Sequence, residues 1–188
     1  MSPEPFLGDV PHTPVRHHIL SVLVENKPGV LARVAGLFAR RGFNIYSLAV
    51  APSESHARFS RVTIVVDAES APLEQIMGQL DKLVNVVAIS DIAPTDAVER
   101  ELLLATVHTN VADRTPLLDV LGNAGAAIVD VDPGAVTVML AGTPSACDEF
   151  ERELESFDVV ELHRTGRVAL PRLGEAAPAA TTHERESR

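Results

Sequence analysis

One order of segments, strand, helix, strand, strand, helix, strand, runs from His18 to Ala93 and then again from Glu101 to Ala169. In the first copy the patterns predict strands at 18–25, 43–51, 58–67 and 85–93, with helices at 28–41 and 71–84. In the second they predict strands at 101–109, 126–131, 135–141 and 159–169, with helices at 116–123 and 145–156. Val30, Leu31, Val34, Leu37 and Phe38 recur at helical spacing, and so do Leu73, Ile76, Leu80 and Leu83. Val62, Ile64 and Val66 alternate with Arg61 and Thr63, the period of a half-buried strand. Gly42 and Gly125 each stand where a helix stops and an apolar strand begins. The simplest fold is α+β: two tandem ferredoxin-like βαββαβ domains, each with an antiparallel four-stranded sheet and both helices on one face. The domains are expected at 17–94 and 95–172, divided near Pro94-Thr95-Asp96, with a flexible extension at 1–16 and a disordered tail at 173–188 rich in Ala, Pro, Thr and charge.

The first strand raises a question of cover. His18, Leu20, Val22 and Val24 point one way, and Ile19, Ser21 and Leu23 the other. Both faces are apolar, yet two helices cover only one. The open face or edge is therefore expected to meet another protein surface, foremost a second copy of the chain.

Aromatic residues make up 4% of the chain and Trp is absent, so the core must be built from Val, Leu, Ile and Ala. A net charge of -10 and a single Tyr argue against a nucleic-acid partner, which wants clustered cations and exposed rings. The lone Cys147 excludes an internal disulfide and suits a reducing cytoplasm, where it is expected as a small buried residue. No apolar run is long enough to cross a bilayer, and 1–15 lacks the basic and apolar pattern of an export signal.

The turn between the first strand and first helix, Glu25-Asn26-Lys27-Pro28-Gly29-Val30-Leu31, carries the chemistry. A helix start leaves backbone N–H groups without partners, at the positive end of the helix dipole, and holds a carboxylate without a basic side chain. Asn26 is read as the helix cap, with Pro28 in the opening turn. The second copy has His108-Thr109-Asn110 at this place and no counterpart to Pro28-Gly29-Val30. One half therefore looks like the sensor and the other like the assembler.

Several segments now carry a resemblance. They are Ile19-Leu20-Ser21-Val22-Leu23-Val24-Glu25-Asn26-Lys27-Pro28-Gly29-Val30-Leu31, Arg40-Arg41-Gly42-Phe43-Asn44-Ile45 with Ser47-Leu48, and Ser60-Arg61-Val62-Thr63-Ile64-Val65-Val66. Further along come Gln79-Leu80-Asp81-Lys82-Leu83-Val84, Val98-Glu99-Arg100-Glu101-Leu102 and Arg164-Thr165-Gly166-Arg167-Val168-Ala169-Leu170. In this order they resemble the small regulatory subunits of acetohydroxyacid synthase (acetolactate synthase), over nearly all of the chain from His17 to Arg172. Asn-x-x-Gly-x-Leu by itself is common to many amino-acid-binding ACT domains.

The resemblance implies an N-terminal ACT domain that binds effector, a C-terminal ACT-like domain, and a homodimer through the ACT domains. It implies a partner, the large catalytic subunit, which carries thiamine diphosphate, Mg and FAD, with no cofactor in this chain. It implies activation of that partner and feedback inhibition by valine in branched-chain amino-acid biosynthesis, and no active site of the chain's own. By position, the effector residues are Asn26, Gly29, Val30 and Leu31 from one subunit and Asn44 and Ile45 from its neighbour. Two departures stand out: Tyr46 occupies a place where many members carry Glu, and 110–117 matches the family poorly.

Plainer readings compete. Asn26 and Pro28 alone could be a helix cap and nothing more. His17 and His18 are adjacent in a strand, point to opposite faces, and read as surface residues rather than metal ligands. His56, His108 and His163 are scattered. No phosphate loop and no nucleophile–base pair is evident, which disfavours a small enzyme on this fold. A free-standing ACT sensor regulating another metabolic enzyme is the remaining alternative.

Overall fold

The computed structural model of the chain describes residues 17–53, 58–67, 73–110, 114–173 and 181–182. The first half contains β1 (His17–Glu25), α1 (Val30–Arg40), β2 (Ile45–Pro52), β3 (Phe59–Asp67), α2 (Leu73–Leu80) and β4 (Val86–Ile92). After a 3-10 turn at Pro94–Asp96 come β5 (Ala97–His108), α3 (Arg114–Ala124), β6 (Ala127–Asp132), β7 (Ala135–Gly142), α4 (Pro144–Leu154), β8 (Asp158–Arg164) and β9 (Val168–Pro171). A two-residue strand, β10 (Thr181–Thr182), pairs with β4. The extension expected at 1–16 and nearly all of the tail expected at 173–188 lie outside the described residues.

Both halves have the antiparallel sheet that the repeat predicts. The first is ordered β4-β1-β3-β2, with β10 beyond β4, and the second β6-β7-β5-β8. Allowing for direction, these are the same order. Leu20, Val22, Val24, Val62, Ile64 and Val66 meet Val34, Leu37, Phe38, Ile76 and Leu80 in the first core. Leu103, Val107, Val138 and Leu140 meet Leu117, Leu121, Phe150 and Leu154 in the second, with Cys147 fully buried among them. Burial pushes the Cys147 thiol up, as suits an inert core position.

Gly42 and Gly125 do what their positions predict. Gly42 has φ 73°, its N–H reaches Ala39 O at 3.2 Å, and Phe43 N–H reaches Phe38 O at 3.0 Å. That pair of bonds is a Schellman ending, and Phe43 packs edge-on to Phe38 with ring centroids 6.3 Å apart. Gly125 has φ 71°, and the bonds Gly125 N–H to Gly122 O and Ala126 N–H to Leu121 O repeat the motif.

Three expectations need correction. The helix over 71–84 is shorter: α2 stops at Leu80, and Leu83 follows in a turn while still packing on the core. The single strand over 159–169 is two, β8 and β9, separated by a bend at Gly166 with φ 79°. The third concerns the second face of the first sheet, expected to meet another molecule. Part of it is covered by the chain itself, since Ile19, Val65 and Ile92 pack with Ala97 and Ala169 of the second half. Ala97 and Ala169 sit on a ribbon formed by β9 and the first four residues of β5. That ribbon explains why Ile19 is apolar on a face the helices do not reach.

Candidate functional site

The turn after β1 is built around Gly29. Gly29 is the N-cap of α1, with φ 83° and ψ -6°, and no side chain caps the helix. Asn26 is therefore not the cap the sequence suggests. Its backbone N–H instead reaches Arg58 O at 2.7 Å, fixing the turn to the start of β3. The left-handed φ costs a residue with a Cβ about 1–2 kcal/mol, and glycine avoids it. A Cβ on Gly29 would meet nothing within 4 Å, so the peptide lies open to an approaching molecule.

The first i→i−4 bond of α1 runs from Arg33 N–H to Gly29 O at 3.1 Å. The Leu31 and Ala32 amides therefore sit in the first turn, where no intrahelical acceptor exists. Val30 differs: its N–H makes a 3.3 Å turn bond to Lys27 O, and its side chain is buried in the core. Leu31 is exposed and faces outward. No carboxylate lies in the first turn of α1 to occupy the amides.

A polar chain braces the turn. Lys27 Nζ donates to Glu25 Oε1 at 3.0 Å, Asn85 Nδ2 donates to Glu25 Oε2, and Arg33 Nη1 donates to Asn85 Oδ1 at 2.8 Å. Glu25 N–H also reaches Asn85 O at 2.9 Å. Lys27, followed by Asn85, holds the Glu25 carboxyl below its ordinary range. Asn85 ties β4 to the turn, and no local pattern in the sequence marks it.

Asn44 and Ile45 are elsewhere. Asn44 is exposed just before β2, and Ile45 leans on the first core. Val66 of β3 pairs with both Ile45 and His18, which puts the start of β2 level with the start of β1. The turn follows the opposite end of β1, at Glu25. Seven strand residues separate those levels, or about 23 Å. One chain therefore brings Asn26, Gly29 and Leu31 together but keeps Asn44 and Ile45 at the far end of the sheet.

The junction of the two halves is a second polar assembly that the sequence did not reveal. Arg167 N–H donates to Ser47 Oγ at 2.7 Å. The Arg167 guanidinium stacks over Tyr46, 4.9 Å from its centroid, and Tyr46 stacks on His17 at 4.3 Å. His17 and His18 are thus half-buried rather than surface residues. Among the described residues, no group of three His, Cys, Asp or Glu is placed to hold a metal ion, and no helix is long and apolar enough to cross a membrane.

Two family models match the chain. One, described as AHAS small subunit-like ACT domain, covers residues 20–88, and the other, small subunit of acetolactate synthase, covers residues 100–173. The acetolactate synthase small subunit of Mycobacterium bovis is 47% identical over 155 residues, 82% of this chain and 92% of that protein. The acetolactate synthase small subunit of Mycolicibacterium smegmatis is 44% identical over 155 residues, 82% of this chain and 91% of that protein. Among solved structures, the acetolactate synthase small subunit from Thermotoga maritima superposes with a TM-score of 0.78 at 39% identity, covering 84% of this chain and 98% of that one.

Proposed function

The chain belongs to the acetolactate synthase small-subunit family, and on that premise we propose that it activates the large catalytic subunit and makes it sensitive to valine. A regulatory role in that enzyme follows from the family, and so does partnership with the catalytic subunit. The thiamine diphosphate, Mg and FAD of the reaction belong, on this reading, to the partner. The cytoplasm is the compartment it requires.

The observation that carries the effector assignment is Gly29: left-handed, exposed, and followed by the first-turn amides of Leu31 and Ala32. The valine carboxylate lies against those amides, at the positive end of α1. Asn26 and Asn44 offer carbonyl oxygens to the ammonium group. Leu31 and Ile45 flank the aliphatic side chain. Val30 has its N–H on Lys27 O and its side chain in the core, so it shapes the turn rather than meeting the ligand.

The roughly 23 Å between the turn and Asn44 in one chain makes a second copy necessary to this site. β2 is an edge strand of its sheet. Two copies set edge to edge in opposite directions bring Asn44 of one toward the turn of the other. A ligand spanning both favours that arrangement over others, and about 1–3 kcal/mol of such coupling gives inhibition of several-fold to hundred-fold. A missing methylene in the pocket is worth about 1–3 kcal/mol, so leucine and isoleucine compete within that margin.

Reconstitution tests the proposal. The chain is mixed with its cognate large subunit, and acetolactate formation is followed with and without valine. Stimulation by the chain and inhibition by valine are expected. A well-folded pair that shows neither rejects it.

A further inference from the structure

We propose that the cavity between the two halves is a second small-molecule site, one that takes a free α-amino acid as its zwitterion. The cavity has a volume of about 550 Å³ and is lined by His18, Ile19, Pro94, Thr95, Glu99 and Arg167, among others. That volume is within the range of small-ligand pockets, roughly 300–1,000 Å³. It lies apart from the Gly29 turn, at the opposite end of β1, and both halves of the chain build it.

The cavity is edged by an ion pair that is buried but incomplete. The Arg167 side chain is 10% exposed and that of Glu99 17%. Arg167 Nη1 and Glu99 Oε2 stand 3.5 Å apart, too far for a good charge-assisted hydrogen bond, which runs nearer 2.8 Å. Arg167 Nε and Glu99 Oε2 are both buried without a hydrogen-bond partner. A buried ion pair offsets its desolvation only when close geometry and further hydrogen bonds complete it. Beside it, His18 Nδ1 and Asp91 Oδ1 repeat the pattern at 3.8 Å, again buried and without hydrogen bonds. Burial pushes the Asp91 carboxyl up, against the pull of His18.

The Arg167–Glu99 pair, which lines the cavity, leaves one donor and one acceptor unfilled. A single anion would answer Arg167 and worsen the position of Glu99. A single cation would do the reverse. A molecule carrying a carboxylate next to an ammonium answers both, its carboxylate on Arg167 and its ammonium on Glu99. Ile19, Pro94 and Thr95 line the rest of the cavity and leave room for a short side chain. Arg167 is also the residue whose N–H ties the halves through Ser47, so a ligand here stiffens the junction itself.

The test is NMR of the full chain, reading the Arg167 side-chain Nε–H signal, assigned by its loss in Arg167→Lys. Valine is titrated to about 10 mM, far above a micromolar-range dissociation constant, with acetate and ethylammonium as half-ligand controls. The signal is expected to shift saturably with valine, in wild type and in Gly29→Asp alike, and with neither control. In Glu99→Gln the midpoint should rise roughly tenfold or more. An unmoved wild-type signal means that water alone fills the cavity and overturns the proposal. So does an equal response to acetate, or an unchanged midpoint in Glu99→Gln. The Gly29-turn amides report the other site separately, so failure of one assignment is read independently of the other.

Discussion

The backbone N–H of Arg167 donates to the hydroxyl of Ser47 at 2.7 Å, across 120 residues of sequence. The bond joins the bend between β8 and β9 to the edge strand β2 of the first sheet. It exists because Gly166, at φ 79°, turns the chain there and has no Cβ. A Cβ on Gly166 would stand 2.7 Å from Ser47 Oγ and 3.3 Å from Leu48 O.

Gly166→Ala therefore carries two costs, backbone strain of about 1–2 kcal/mol and a clash with the Ser47 hydroxyl. Ser47→Ala loses one hydrogen bond, about 1 kcal/mol, but removes the clashing atom. The double variant should be less destabilised than the sum of the singles by about 0.5–3 kcal/mol in denaturant unfolding. Strict additivity would mean that the two residues do not meet.

Arg164 holds the second half together. Its Nε and Nη2 donate to Glu101 at 3.1 and 2.7 Å, and its Nη1 serves Asp148 at 2.7 Å and Glu151 at 3.0 Å. Burial works against its charge, but the bonds to Glu101 and Asp148 outweigh burial and raise its pKa further. Arg164→Leu leaves Glu101, whose side chain is 6% exposed, buried without a countercharge. We expect a loss of about 3–5 kcal/mol, a fall in Tm of roughly 10 °C for a chain of this size. Arg164→Lys should recover only part of it, because an ammonium cannot reproduce the two-pronged grip on Glu101.

Glu25 makes the turn pH-sensitive in a defined direction. Its folded pKa is lowered from 4.5, so the stability it lends is complete above that value and is lost as pH falls through the lowered folded pKa. Below that point Lys27 and Asn85 lose their charged acceptor. The Asn85 side-chain amide signal should move in this window, below pH 4.5, and hold steady between pH 6 and 8. Glu25→Gln should show no such step.

Asn44 tests the need for a neighbour. Asn44→Ala removes a hydrogen bond to a charged ligand, about 1.5–3 kcal/mol, so the valine midpoint for inhibition should rise roughly ten- to hundredfold. Activation of the catalytic subunit should remain. Mixed dimers of Asn44→Ala with Gly29→Asp chains should retain one intact site. Inhibition lost completely in such mixtures would place both residues in the same chain's site.

Much of this was legible in the sequence, because the signals that carried it are local. The two Schellman glycines, the alternation of Val62, Ile64 and Val66, and the helical stripe of α1 each span a few residues. The errors arose where a distant partner decides. Asn26 has a capping residue's chemistry, yet the Arg58 carbonyl holds its backbone and Gly29 takes the cap. The apolar run over 159–169 gave no sign that Gly166 must bend to meet Ser47. Ile19 suggested a second molecule, when Ala97 and Ala169 of the same chain cover it. At the site, Asn26, Gly29 and Leu31 were readable from one turn. Asn85, which braces them from the turn just before β4, carries no pattern of its own.

The most direct measurement is the response of the Leu31 and Ala32 backbone amide signals to valine. Both should shift saturably in the wild-type chain, over the concentrations that inhibit the reconstituted enzyme, and neither should move in Gly29→Asp. Amides that stay fixed while valine inhibits would contradict the placement of the effector at this turn.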